Sequence, residues 1–71
     1  MDDSDRYEIV EYDAEVVRVT ALALLVNIDG DEYWLPKSQL KDEGDLGEAS
    51  EAGDKGSIAI PRWLAEDKGI E

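Results

Sequence analysis

The chain has 71 residues, of which nineteen are acidic and seven basic, so its formal net charge is −12, and it contains neither cysteine nor histidine. This length fits one domain spanning residues 1–71 and excludes a second, and the lack of cysteine excludes disulfides. A surface this acidic repels nucleic acid and membranes and attracts basic protein grooves. These properties favour a binding protein over an enzyme.

The composition predicts a folded chain in spite of its charge. Hydrophobic residues make up 42% of the sequence and are dense over residues 16–28, which is too apolar for a disordered chain. The first residues lack the basic and apolar regions of a signal peptide. The longest apolar run, residues 21–26, is too short to cross a bilayer. We expect a cytoplasmic protein that binds no membrane.

The first segment is the most acidic part of the chain. Residues 1–15 hold seven acids against Arg6 alone, and they predict an acidic arm or edge. Residues 7–12 are rich in β-formers and predict a strand, whereas residues 1–5 are expected to fray.

Two further strands are predicted on either side of Thr20 and Ala21. Apolar residues occupy every second position in two runs, the first with Val17 and Val19 and the second with Leu22, Leu24, Val26 and Ile28. The four residues of the second run are expected to face one side. Asp29-Gly30 then suits a two-residue type I′ turn, in which both residues have positive φ. With that turn, Leu24, Val26 and Ile28 pair with Leu35, Tyr33 and Asp31, and Leu25 pairs with Trp34 on the opposite face. Both faces of this hairpin are partly apolar, which favours a small curled sheet or partly open barrel.

A change of structure is expected at Pro36, which ends the third strand. Residues 37–40 predict a short helical turn that folds Leu40 onto the core. Residues 41–55 contain six acids, three glycines and a single large apolar residue, Leu46. They predict a long acidic loop, and loops of this length are functional or disordered.

The last elements are a strand over residues 57–60 and a helix over residues 61–68. Pro61 suits the first helical position, and Gly69 followed by Ile70 suits a glycine-capped helix end. Trp63 and Leu64 are expected to anchor the helix. The resulting fold class is α+β: an antiparallel sheet of three to five strands with a short C-terminal helix packed on it.

No motif for catalysis or metal binding is present. Asn27, Asp29 and Asp31 resemble part of a calcium loop, but the twelfth position, which needs a carboxylate, is Ser38. The serines have no histidine to activate them. The aromatic residues could stack on bases, but the surrounding charge has the wrong sign for phosphate. We therefore expect no catalytic residues, no metal, no cofactor and no direct nucleic-acid binding.

Two segments resemble small uncharacterised acidic proteins encoded by bacteriophages and prophages. They are residues 28–40, which read IDGDEYWLPKSQL, and residues 60–70, which read IPRWLAEDKGI. The matching positions are core and capping positions, so the resemblance implies a fold more firmly than an activity. In size and charge alone, the chain is also similar to anti-CRISPR proteins that imitate nucleic acid.

Two functions follow from these observations. In the first, a monomer mimics the phosphate backbone and fills a basic nucleic-acid-binding groove of a host protein complex. In the second, the acidity serves solubility or a halophilic setting, and the chain is a structural or regulatory adaptor with an apolar patch around Trp34 or Trp63. The acids expected to contact a partner in the first case are Glu8, Glu11, Asp13, Glu15, Asp29, Asp31, Glu32, Asp42, Glu43 and Asp45.

Overall fold

A computed structural model describes residues 7–71 of the chain. Over that range the chain forms β1 (Ile9–Val19), β2 (Ala23–Ile28), β3 (Asp31–Pro36), a 3-10 turn (Lys37–Gln39), β4 (Lys55–Pro61) and α1 (Arg62–Asp67). The four strands make one open antiparallel sheet in the order β3-β2-β1-β4. The predicted α+β class is confirmed, while the predicted fraying of residues 1–5 lies outside the described residues.

The β2–β3 hairpin has the predicted turn. Asp29 and Gly30 have φ angles of 54° and 89°, as a type I′ turn requires. The Asn27 side chain strengthens the turn, since its Oδ1 accepts a hydrogen bond from the Gly30 N–H at 3.0 Å. The register is also as predicted: Ile28 pairs with Asp31, Val26 with Tyr33, Leu25 with Trp34 and Leu24 with Leu35.

Strand β1 contains the segment predicted as an acidic arm or edge, and the strand predicted over residues 7–12 is present from Ile9 onward. Residues 9–14 pair with β4 on one side and with no strand of the described residues on the other, because β2 pairs only with residues 15–19. They form a strand because Val10, Tyr12, Ala14 and Val16 alternate with acids, so one face can join the core. Ala14 is small, which makes this alternation weak in the sequence.

A β-bulge in β1 corrects the predicted pattern that begins at Val17. Val16 pairs with Val26 and Arg18 pairs with Leu25, which makes Val17 the extra residue. Val16, before the bulge, is buried on the core face, whereas Val17 is only half-buried. After the bulge, Val19 lies opposite the buried Leu24 but is 40% exposed, since it is the last residue of the strand. Leu22 was also wrongly expected to face inward. It precedes β2 and is 81% exposed.

The core lies between one face of the sheet, helix α1 and part of the loop. Leu64 and Ala65 of α1 are buried in it, and Trp63 and Ile70 pack against it. Pro61 is the last residue of β4, so the helix begins one residue later than predicted. The predicted cap is present: Gly69 has a φ of 80°, and its N–H and that of Ile70 donate to the carbonyls of Glu66 and Ala65.

The acidic loop runs along the outer edge of β4. The Lys41 N–H donates to the Ala59 carbonyl and the Leu46 N–H donates to the Ser57 carbonyl, both at 2.9 Å. Leu46 is buried, with 4% of its surface exposed. These contacts cover one edge of the sheet, whereas β3 forms the other edge.

Candidate partner-binding surface

Strand β1 presents a row of carboxylates on the face of the sheet that points away from the core, here called the outer face. Glu11, Asp13 and Glu15 are all exposed there, because they alternate with the core-facing residues. Successive members of the row are about 6.6–6.8 Å apart along the strand, since each residue rises about 3.3–3.4 Å. Asn27 lies opposite both Glu15 and Glu32, so Glu32 continues the acidic row on β3.

A shallow open groove on the sheet collects three of the predicted acids. Asp13, Glu15 and Asp29 line it together with Asn27 and Lys55. The Lys55 backbone is directly opposite Glu15 in the β1–β4 register. The groove is therefore acidic, with the amine of Lys55 at its side. The sequence did not indicate this position for Lys55, because it depends on the pairing of two strands that are distant in the chain.

Two predicted acids lie at the end of the β2–β3 hairpin. Asp29 occupies the left-handed position of the turn, and Asp31 begins β3 opposite Ile28. Both are exposed. The hairpin end therefore extends the negative surface beyond the edge of the sheet.

The predicted acids of the loop lie on a different part of the molecule. Asp42 and Glu43 are exposed between the two hydrogen bonds that join the loop to β4. Asp45 has a structural role: its Oδ2 accepts hydrogen bonds from the Ser57 N–H at 3.3 Å and hydroxyl at 3.4 Å, and its own N–H donates to Ser57 Oγ at 3.1 Å. Among residues 7–71, the carboxylates do not converge into a group of three or more that could hold a metal ion.

Glu8 is also engaged within the protein. Its Oε2 lies 2.8 Å from Arg62 Nη1, and Arg62 Nε lies 3.0 Å from Glu71 Oε2. The Nε–H does not point at that oxygen, so the second contact is a charge pair without a formed hydrogen bond. Glu8 thus ties the start of β1 to α1.

Tyr12 joins the same group of charges. Its hydroxyl donates to Glu71 Oε1 at 2.9 Å. Burial, followed by the hydrogen bond to the Glu71 carboxylate and the negative charge of that group, raises the pKa of Tyr12 from 10.0 to about 12. Glu8 is therefore paired with Arg62 within the protein, although 55% of its side chain is exposed.

No protein-family model, curated protein or solved structure matches this chain. Within residues 7–71, no helix is long and apolar enough to cross a membrane. The main features of the described surface are the acidic outer face, the acidic hairpin end and an exposed tryptophan, Trp34.

Proposed function

We propose that the protein is a small acidic inhibitor that fills a basic nucleic-acid-binding groove of a host protein complex and blocks DNA or RNA binding, as anti-CRISPR mimics do. The observation that supports this proposal is the exposed row of Glu11, Asp13 and Glu15, which lie at every second position of β1 and are held by its pairing with β4. Glu32 and Asp29 extend the row across the sheet and its hairpin end.

The spacing of the row suits the cations that bind phosphates. A groove that follows a nucleic-acid backbone holds lysine and arginine side chains at intervals close to those of successive phosphates. Acidic residues whose backbone positions repeat about every 6.6–6.8 Å offer such a groove a regular series of anionic partners, which arginine can bind through two hydrogen bonds. Because the row is held on a paired strand, little backbone entropy is lost on binding.

The ten predicted acids differ in the contacts that they make within the protein. Glu8 is bound to Arg62, and Asp45 is bound to Ser57. Asp42 and Glu43 lie beside β4, away from the hairpin end. We therefore assign the main contacts to the outer-face acids and Asp29, with the loop acids as a second charged region.

Two triple variants with the same change in charge test this assignment. The outer-face variant is Glu11→Gln, Asp13→Asn and Glu15→Gln, and the control raises the charge by the same amount at exposed residues outside the proposed surface, with Ser38→Lys, Glu66→Gln and Asp67→Asn. Each protein is immobilised and used to capture a partner from host lysate. The captured partner is then titrated with DNA or RNA in the presence of the wild-type protein.

The proposal predicts that the outer-face variant loses the partner while the control retains it. Nucleic acid and the wild-type protein should also exclude each other from that partner. If the folded outer-face variant binds as tightly as the wild type, or if the partner binds the protein and nucleic acid together, the mimic proposal fails. Weakening by salt does not decide the question, since any charged interface shows it.

A second candidate function is an adaptor that uses an apolar patch. Trp34 is 42% exposed on the outer face and lies opposite the half-buried Leu25. In this case Trp34→Ala should abolish capture of the partner, whereas the outer-face acid variant should retain it. A halophilic origin for the acidity also predicts unfolding at low salt, which circular dichroism would detect.

A further inference from the structure

The outer edge of β3 is a backbone surface that no strand of residues 7–71 covers. In a type I′ hairpin, Ile28 and Asp31 form a hydrogen-bonded pair, and the pattern then alternates along the strands. The backbone groups of Glu32 and Trp34 therefore point away from β2. Pro36 is the next residue in this series, and it has no N–H to leave unpaired. The backbone N–H and C=O groups of Glu32 and Trp34 are therefore available to pair with an additional strand.

The side chains beside this edge define what an additional strand should carry. Glu32 and Trp34 stand next to the edge on the outer face, and Asp31 is exposed on the other face. An added strand would lie about 4.8 Å away, with its side chains directly beside these. A cationic side chain beside Glu32 would form an ion pair, and one beside Trp34 would lie against the ring as a cation–π contact.

The negative charge of the chain favours a different, basic partner over a second copy of the chain at the β3 edge. Each copy carries a formal charge of −12, and pairing two β3 edges would bring Asp31 and Glu32 of each copy close to those of the other. Like charges at an exposed edge oppose such self-association. The same charges attract a basic strand.

We propose that the outer edge of β3 binds an extended lysine- or arginine-containing segment of a partner protein by strand addition. The backbones supply the hydrogen bonds, while Asp31, Glu32 and Trp34 select the basic side chains. This inference does not depend on nucleic-acid mimicry, because a basic segment can pair with β3 whether or not its protein binds nucleic acid.

Two peptides of equal charge separate strand addition from simple attraction. One is a short blocked peptide of alternating lysine and valine, and the other has the same sequence with its central amide nitrogens methylated. Each is titrated into isotope-labelled protein while backbone amide resonances are followed. The unmethylated peptide should shift the Glu32 and Trp34 amides and slow their hydrogen exchange. The methylated peptide should bind about tenfold more weakly, because it loses backbone hydrogen bonds and cannot approach closely.

Two single variants test the role of charge at the edge. Glu32→Lys should weaken binding of the unmethylated peptide by roughly fivefold, because a cross-strand attraction becomes a repulsion. Glu66→Lys makes the same change in charge on α1 and should alter the affinity by less than about twofold.

Three results would overturn the inference. They are equal affinity for the two peptides, amide shifts confined to the acids of β1 or the loop, and a dimer through β3 in the absence of peptide. None of them bears on the capture experiment with the triple variants. The proposal for the β3 edge and the proposal of nucleic-acid mimicry can therefore be refuted independently.

Discussion

Replacing Gly44 by alanine should detach the acidic loop from β4. A Cβ at Gly44 would lie 2.7 Å from the Ala59 nitrogen and 3.0 Å from the Ser57 oxygen, both of which are backbone atoms in the sheet. Ordinary contact begins at 3.4 Å, so the loop must move outward by roughly 0.7 Å at this point, since backbone in a paired strand cannot yield cheaply.

The cost of this movement can be estimated from the contacts that it disturbs. Hydrogen bonds from the Lys41 and Leu46 amides to β4, both 2.9 Å long, flank Gly44, and each contributes about 1 kcal/mol. Partial exposure of buried Leu46 adds about 1 kcal/mol, since complete truncation of such a residue costs about 2–5 kcal/mol. We expect a loss of roughly 2–4 kcal/mol, which lowers the melting temperature of a domain this small by roughly 10–30 °C.

Gly47→Ala is the matched control in the same loop. Nothing lies within 4 Å of a Cβ built there, so alanine should leave stability unchanged or raise it by about 0.4–1 kcal/mol. Denaturant unfolding followed by tryptophan fluorescence measures both variants, and hydrogen exchange reports whether the Lys41 and Leu46 amides lose protection. If Gly44→Ala is as stable as Gly47→Ala, the close approach of the loop to β4 is wrong.

Two other predictions concern Tyr12 and Trp63. Because folding raises the pKa of Tyr12 from 10.0 to about 12, its stabilising effect is fully present below pH 10 and is lost as the pH rises through 12. The difference in unfolding free energy between wild type and Tyr12→Phe should therefore be constant below pH 10 and shrink above it; a difference that grows would contradict this sign. Trp63→Ala should cost about 2–3 kcal/mol in denaturant unfolding, less than a fully buried tryptophan, because Trp63 is only partly buried against the core. An unchanged midpoint would place the ring outside the core.

The sequence was most informative where the signal was local. Asp29-Gly30 determines the turn and, with it, the register of β2 and β3, because a two-residue loop leaves no freedom in the pairing. Gly69 and Ile70 similarly predict the end of α1, since the left-handed position needs glycine. Both predictions depend on a few neighbouring residues, and the structure confirms both.

The prediction was weakest where distant segments meet. The pairing of β1 with β4 places Glu15 opposite Lys55 and brings Glu8 to Arg62, and no local pattern indicates either contact. The bulge at Val17 likewise depends on how β1 passes from β4 to β2. For the candidate site, charge identified the acids, but only the fold separates those held within the protein from those on the outer face.

The topology of β1 also has a consequence for how the chain folds. The β2–β3 hairpin joins near neighbours such as Ile28 and Asp31, whereas β1 and β4 join Ile9 to Pro61. A hairpin closes in about 1–10 μs. Distant strands pair more slowly, because closing the long loop between them costs conformational entropy. We therefore expect the hairpin to form first and β1 to remain partly unpaired until β4 is synthesised. In that state, the negative charges of Glu11, Asp13 and Glu15 repel other nascent chains and so oppose aggregation of the exposed strand.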